Sequence, residues 1–447
     1  MRVLIIGAGA VGYHLARRLS EERHDVVVIE ADAERARTLG EQLDILTVVG
    51  NGASLPVLER AGIAKTQLLL AVTSKDEVNL VSCLAASRMG VKFKVARVSD
   101  PEYYRSGSAL SREQMGIDLM INPERECAWE TFQLLNSEAA TDLAQFADGQ
   151  LQLIGLRVRP GARLAGKTLS ELGAELGNRR YVTVAIVRGG RTEIPRGSSR
   201  IEAGDQIFLM APTTEMPSIP ALAGYEDFKL RRVMIAGGSD EALYLAQHLA
   251  EHGVDCTILD IDRRRCAELA AALPRALVLH ADATDLELLE MEGVEGIDGF
   301  VAYTPRDETN MLASLLAKSQ GARKVISLIH RFDYVPLVSR VGIDAAVSPR
   351  LSTINAILRY VRRGNVASVA TMKGIEAEAI EYDVGRRGRL VDRTIEEIPF
   401  PDGSVVGAIL RNGAAIIPRG ADRILEGDRV VIFALPAAVS DLDRLLS

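Results

Sequence analysis

The chain has 447 residues, 47% of them hydrophobic and 25% charged, with a formal net charge of −7. That length exceeds what one hydrophobic core organises, so two to four domains are expected. The negative balance and an aromatic content of only 4% argue against a nucleic-acid-binding face.

Nowhere do 18 apolar residues run together, so no transmembrane helix is expected. Cys83, Cys127, Cys256 and Cys266 have no metal-ligand spacing and read as free thiols of a reducing cytosol. No metal site is expected.

The first segment, Met1-Arg-Val-Leu-Ile-Ile6, runs straight into a glycine-rich turn without a cleavage pattern. It reads as a strand rather than a signal segment. Val3–Ile6, Val26–Ile29, Ile45–Val49, Leu68–Val72, Phe93–Val98 and Leu119–Ile121 are short apolar runs separated by helix-length segments. Continuously apolar strands are buried on both faces, which predicts a parallel, doubly wound α/β sheet. A helix follows from Pro123 to about Ser137. After Asp148-Gly149 the rhythm changes to strands Leu151–Val158, Val182–Val187 and Gln206–Met210, with a short helix begun by Gly166–Leu172. This predicts a small α+β domain. Pro212, Pro217 and Pro220 read as a linker.

The order then repeats. Strands are expected at Val233–Ala236, Cys256–Leu259, Leu277–Leu279, Gly299–Tyr303 and Val325–Ile329. Gly7 to Glu30 spans 23 positions, as does Gly237 to Asp260, and both members are displaced by 230. Ile194-Pro-Arg-Gly197 recurs as Ile417-Pro-Arg-Gly420, and Gly204-Asp205 as Gly427-Asp428, displaced by 223. A repeat this long is a duplicated domain pair. The expected boundaries are 1–138, 139–220, 230–360 and 366–447, in the order large, small, large, small.

Gly7-Ala8-Gly9-Ala10-Val11-Gly12 is a phosphate-cradle signature. Gly7 allows the tight strand-to-helix turn, Gly9 lets a pyrophosphate approach the backbone, and Gly12 lets the helix pack on the strand. The helix start adds free N–H groups and a partial positive charge. Glu30, closing the next strand, is placed for ribose hydroxyls and favours NAD over NADP without excluding ATP or ADP. Asn51, Thr73 and Ser74 lie past the third and fourth strands, as ligand contacts or helix caps. Arg97 ends the fifth strand, placed either for a phosphate or for a surface ion pair.

The second copy is degenerate. Gly237 persists, but Ser239 replaces the close-approach glycine and Ala242 the third. A left-handed backbone at Ser239 would cost about 1–2 kcal/mol. Asp240 beside a pyrophosphate would repel it by roughly 3 kcal/mol. Asp260, Asp282, Thr304, Asp307 and His330 keep a polar rim. Weak or absent NAD binding is expected there. A cation held by Asp240, Asp282 and Asp307 is the lesser alternative.

No catalytic set is expected. A dehydrogenase needs an acid or base beside the carbonyl, and none of His14, His24, His248, His252, His280 and His330 recurs at a matching position in both halves. An NAD-dependent dehydrogenase on the same fold stays the alternative, with an inert scaffold a third.

Several segments resemble the TrkA family. The Gly7–Gly12 loop with Glu30, Gly50-Asn-Gly-Ala53, Ala71–Asn79 and Ala96-Arg97-Val98 resemble its N-terminal RCK (KTN) domain. Ala281–Asp285 and Thr304–Asn310 resemble the second copy. Gly166–Leu169 with Gly204-Asp205, and the segment around Gly427-Asp428, resemble its C-terminal domain. The resemblance implies a cytoplasmic regulatory subunit of a Trk-type potassium uptake system, peripheral on the inner face of the membrane. It implies a homo-oligomeric, tetrameric ring beneath a TrkH- or TrkG-like membrane subunit, and NAD(H), ATP and ADP as ligands. By position it assigns ligand contacts to Gly7 through Val11, Glu30, Asn51, Thr73, Ser74 and Arg97. The degenerate counterparts are Gly237, Ser239, Asp260, Asp282 and Thr304.

Overall fold

The computed structural model describes residues 1–21, 24–105, 110–175, 181–226, 229–361, 366–371, 377–385 and 390–446. It divides into two compact units, Met1–Cys127 with Ser348–Val361, and Ala128–Val347 with Arg362–Ser447.

The first unit holds β1 (Arg2–Ile6), β2 (Asp25–Glu30), β3 (Leu46–Val49), β4 (Leu68–Ala71), β5 (Phe93–Arg97) and β6 (Leu119–Ile121), all parallel in the order β3-β2-β1-β4-β5-β6. Helices α1 (Ala10–Glu21), α2 (Ala33–Gln42), α3 (Leu55–Arg60) and α4 (Asp76–Arg88) connect them. Val3–Ile6, Val26–Ile29 and Leu68–Ala71 are buried throughout, as strands covered on both faces must be. α1 buries Val11, Gly12, Leu15, Ala16 and Leu19 along one stripe. Asp32 caps α2 through the Arg35 N–H at 2.9 Å. Strand order reverses between β1 and β4, which opens a crevice at their carboxyl ends.

Helix α5 (Pro123–Leu135) carries the chain into the second unit. There β7 (Ala140–Phe146), β8 (Leu151–Arg157), β9 (Val182–Arg188), β10 (Arg191–Glu193) and β11 (Gln206–Pro212) form an antiparallel sheet, β10-β9-β11-β8-β7, with α6 (Leu169–Glu175) and α7 (Ile219–Leu222). The expected linker at Pro212–Pro220 is instead a 3₁₀ turn, Thr213–Ser218, running into α7. Pro220 sits in the first turn of α7, where its missing N–H costs nothing. The end of this segment bonds back to the small domain, with the Arg159 N–H donating to the Ala223 carbonyl and the Leu164 N–H to that of Leu222.

The second doubly wound sheet follows. Its strands are β12 (Arg232–Ala236), β13 (Asp255–Asp260), β14 (Ala276–His280), β15 (Gly299–Ala302), β16 (Lys324–Leu328) and β17 (Ala345–Val347), again parallel, in the order β14-β13-β12-β15-β16-β17. Its helices are α8 (Asp240–Glu251), α9 (Arg263–Ala272), α10 (Leu286–Met291), α11 (Asp307–Ser319) and α12 (Val335–Arg340). Helix α13 (Pro349–Val361) belongs to the first unit and packs on α1. The last domain has β18 (Val366–Thr371), β19 (Glu378–Asp383), β20 (Arg393–Thr394), β21 (Ser404–Arg411), β22 (Ala414–Ile416), β23 (Arg423–Ile424), β24 (Arg429–Ala434) and α14 (Pro436–Leu446). Its main sheet runs β18-β19-β24-β21-β22.

The two small domains share one core. Leu153, Val184, Phe208 and Met210 of the first pack with Ala379, Ala408, Val431 and Phe433 of the second. Gly407 permits the approach, since a Cβ there would lie 2.8 Å from the Met210 sulfur.

The repeated Gly-Asp pair is structural. Asp205 takes Arg188 Nε and Nη2 at 2.8 Å each, and Asp428 takes Arg411 in the same way, also at 2.8 Å. Each carboxylate also accepts a backbone N–H, from Glu202 and Leu425 respectively. Asp428 is 1% exposed. Asp428→Asn is therefore expected to cost about 3 kcal/mol, the low end for breaking a buried pair because Arg411 reaches solvent. Asp402→Asn, at the exposed pair with Arg196, should cost less than about 1 kcal/mol. Denaturant unfolding of the two variants checks the contrast.

Lys324, at the start of β16, is fully buried. Its Nζ donates to the carbonyls of Leu134, Ser137 and Ala140, the last at 2.7 Å. One ammonium thus satisfies carbonyls at the end of α5 and the start of β7. Burial pushes this ammonium down to about 7, against the pull of Asp344 and Glu138.

Candidate functional site

The first crevice is built around Gly7. Its φ of +98° and a would-be Cβ only 2.9 Å from Thr73 Cγ2 leave room for glycine alone. Its N–H donates to the Ile29 carbonyl at 2.8 Å, which ties the loop to β2. A Cβ on Gly12 would lie 1.9 Å from the Gly7 oxygen, so the third glycine keeps α1 against the turn. Gly9 differs, because a Cβ there meets nothing within 4 Å. Nothing in the fold asks for glycine at that position, and the space beside it is open to a ligand.

Glu30 is 7% exposed and does two jobs. Its Oε2 accepts from the Ala8 N–H at 2.6 Å and its Oε1 from the Asp32 N–H at 3.0 Å, so it closes the glycine loop onto β2. A carboxylate has about four lone-pair sites, so these two bonds leave acceptor capacity on Glu30, with Arg35 Nη1 3.9 Å from its Oε2. Asn51 accepts from the Ala53 N–H at 2.9 Å, capping the turn after β3. Gly52 is required there, since a Cβ would lie 2.1 Å from Ile6 Cγ2.

Thr73 is held from below by Asn79. Asn79 is fully buried and accepts from the Thr73 N–H at 2.9 Å and hydroxyl at 2.8 Å. It donates to the carbonyls of Thr73 at 3.0 Å and Arg97 at 2.8 Å. This amide fixes the carboxyl ends of β4 and β5 at the crevice rim. Sequence reasoning gave it no role, although Thr73–Asn79 and Thr304–Asn310 share one spacing. Ser74 is exposed beside Thr73. Arg97 is half-buried at the end of β5, and its guanidinium makes no hydrogen bond or ion pair among the described residues.

The second crevice keeps the frame and changes the loop. Gly237 has φ +101°, and a Cβ there would lie 2.6 Å from the Tyr303 carbonyl carbon. Asp260 accepts from Gly238 at 2.5 Å and Asp262 at 2.7 Å, as Glu30 does in the first copy. Asn310 holds Thr304 through its N–H at 2.8 Å and hydroxyl at 2.6 Å.

Two expectations change. Ser239 has φ −67° and ψ 176°, so no left-handed strain exists, and its hydroxyl caps α8 through the Ala242 N–H. Asp240 is not a free charge either, because Arg265 Nη2 pairs with it at 2.7 Å while Arg265 Nε donates to the Gly238 carbonyl at 2.5 Å. The Asp240 carboxylate is thus compensated, and the Arg265 guanidinium ties it to the glycine loop. Leu328 stands where the first copy has Arg97, so this position carries no cation. The acidic rim does not converge. Asp282 bonds the Thr284 N–H and hydroxyl, and Asp307 takes His330 Nδ1 at 2.8 Å with the His330 and Arg331 N–H groups. Against the opposing effect of burial, those donors hold the Asp307 carboxyl below its usual range. Among the described residues no three His, Cys, Asp or Glu side chains cluster as metal ligands.

Residues 3–123 and 233–349 each match the TrkA-N domain, and residues 153–222 and 379–447 each match the TrkA-C domain. The chain belongs to the TrkA family. A TrkA homologue of Methanosarcina mazei, the Trk system potassium uptake protein TrkA homolog 1, is 38% identical over 99% of both chains. The Trk system potassium uptake protein TrkA of Halomonas elongata is 35% identical over 100% of this chain and 98% of its own. The RCK domain of the GsuK channel superposes with TM-score 0.59 at 20% identity, over 99% of this chain and 94% of that one. The same channel bound to NAD gives TM-score 0.60 at 20% identity, over 99% and 78%. The TrkA architecture of two tandem TrkA-N and TrkA-C pairs accounts for the repeat displacement and for both sheet types.

Proposed function

We propose that this protein is the cytoplasmic nucleotide-responsive subunit of a Trk-type potassium uptake system and that it catalyses no reaction. It acts as a homo-oligomeric ring, a tetramer, on the inner face of the membrane, gating a TrkH- or TrkG-like translocating subunit. Its four domains span 1–138, 139–220, 230–360 and 366–447. Full-length relatives named as potassium uptake proteins support this assignment. No helix among the described residues is long and apolar enough to cross a membrane, which fits a separate translocating partner.

The observation that carries the ligand assignment is the first crevice, with open space at Gly9, a closed glycine loop on Glu30 and an unpaired Arg97 at its rim. NAD(H), ATP and ADP share an adenosine diphosphate that these residues fit. Gly7 through Gly12 and the start of α1 present backbone N–H groups to the pyrophosphate. Glu30 orients the ribose, and Asn51, Thr73 and Ser74 border the crevice. Beyond the pyrophosphate the ligands differ, since only ATP brings a third phosphate to Arg97. A ligand shifts a conformational equilibrium only through its differential affinity for two shapes, and this contact supplies the difference.

The test is potassium flux through the reconstituted membrane partner with ATP, ADP or NADH present. Flux is expected to differ between ATP and NADH, and Gly9→Ala should remove the difference. Equal flux under all three ligands would overturn the assignment.

A further inference from the structure

A groove of about 1140 Å³ lies in the second unit between the first small domain and the second doubly wound sheet. It is remote in sequence from both glycine loops. Its floor is one row across the antiparallel sheet, with Thr192 opposite Val187, Val187 opposite Gln206 and Gln206 opposite Arg157. Residues opposite one another in adjacent strands project to the same face. The Gln206 amide donates to the Thr141 hydroxyl at 3.0 Å, which extends the polar row onto β7. The opposite wall is α12 with the segment leading into β17.

Two arginines present side chains to this groove, Arg157 in the floor row on β8 and Arg340 at the end of α12, whereas Arg191, which precedes Thr192 on β10, projects to the opposite face of the sheet. Neither guanidinium makes a hydrogen bond or ion pair among the described residues. Arg340 is brought close to the β9–β10 turn, where a Cβ on Gly190 would lie 2.7 Å from its Nη2. The carboxylate on the lining, Asp344, is already engaged by Lys318 Nζ at 2.7 Å and the Val325 N–H at 2.8 Å. The neighbouring Arg188 shows the contrast, since its guanidinium is fully used by Asp205 and the Arg200 carbonyl.

Two unpaired like charges, Arg157 and Arg340, at one concavity repel each other, and the concave surface focuses their field. A counter-anion relieves that repulsion. Guanidinium forks match phosphate oxygens in bidentate fashion, and hydroxyl and amide groups on the floor supply neutral partners. The groove is large enough for a small molecule of nucleotide size.

We propose that this groove is a second ligand site, for a small anion carrying a diphosphate or longer phosphate chain, held by Arg157 and Arg340. The occupant touches the first small domain and α12 at once. The site is independent of the glycine-loop crevices.

The test titrates inorganic pyrophosphate calorimetrically into the full chain with NADH present in excess. Wild type should bind one pyrophosphate per chain, and R157A/R340A should weaken that binding by at least about tenfold. The same variant should keep its NADH affinity within about twofold and its melting temperature unchanged, because both arginines are exposed and unpaired. A parallel titration with ADP separates the sources of the phosphate chain. One fewer ADP per chain in R157A/R340A identifies a nucleotide, and an unchanged number identifies a free polyphosphate. Failure of wild type to bind pyrophosphate, or equal binding by the double variant, overturns the proposal.

Discussion

Gly12→Ala is expected to destabilise the first domain by about 3 kcal/mol or more and to abolish nucleotide binding there. The added methyl would lie 1.9 Å from the Gly7 carbonyl oxygen. Both partners of that clash are attached to backbone, so no rotamer relieves it. Helix α1 must lift from the turn or the turn must open, and either movement breaks the 2.8 Å bond between the Gly7 N–H and the Ile29 carbonyl. Gly9→Ala is the control. Its methyl has nothing within 4 Å, so stability should change by less than about 1 kcal/mol. Affinity for NADH should nevertheless fall by at least about tenfold, because the methyl occupies the pyrophosphate's approach. Thermal unfolding and NADH titration of the two variants separate a fold requirement from a ligand requirement. The second copy carries Ala242 at the position of Gly12, where a Ser239 cap sets the loop instead.

Lys324→Met is expected to cost about 3–5 kcal/mol, because it removes the common donor of three carbonyls in a buried site. The cost should depend on pH with a defined sign. The ammonium titrates at about 7 in the folded chain and at 10.5 when unfolded. Between those values the unfolded chain holds a proton that the folded chain does not. Stability from this group is therefore fully present above 10.5 and is lost as pH falls through about 7. The groups facing this lysine are Asp344 and Glu138, which raise its affinity for the proton, and Lys318, which lowers it. The melting-temperature gap between wild type and Lys324→Met should widen from pH 7 to pH 9. A gap that narrows over that range would contradict the assignment.

The doubly wound sheets were legible because burial on both faces leaves an unmistakable trace, short apolar runs at helix-length intervals. The first cradle was legible because glycine is demanded by geometry at Gly7 and Gly12. What the residues did not disclose lies in choices of partner. Helix α13 has an amphipathic face like any other, and nothing in that face says it belongs with α1 rather than with the sheet it follows. Strand β7, Ala-Thr-Asp-Leu-Ala-Gln-Phe, carries too many polar residues to stand out as a strand, and its pairing with β8 decides its state. The prolines at 212–220 suggested a linker, yet proline is equally at home in the first turn of a helix.

The second cradle shows the same limit at the level of chemistry. Asp240 was visible as a charge, but its partner Arg265 lies 25 positions away on α9. Only the fold brings that guanidinium across the glycine loop. Asn79 and Asn310 were hidden because a buried amide looks like any surface asparagine. Their common offset from Thr73 and Thr304 was the available signal.

The most direct test of the two unequal cradles is the number of NADH molecules bound per chain at equilibrium, measured by calorimetry on the full-length protein. One tight site per chain is predicted, weakened at least about tenfold in Gly9→Ala and unchanged in Ser239→Ala. Two sites of equal affinity, or one whose affinity is unchanged in Gly9→Ala, would contradict the placement of NADH in the first crevice alone.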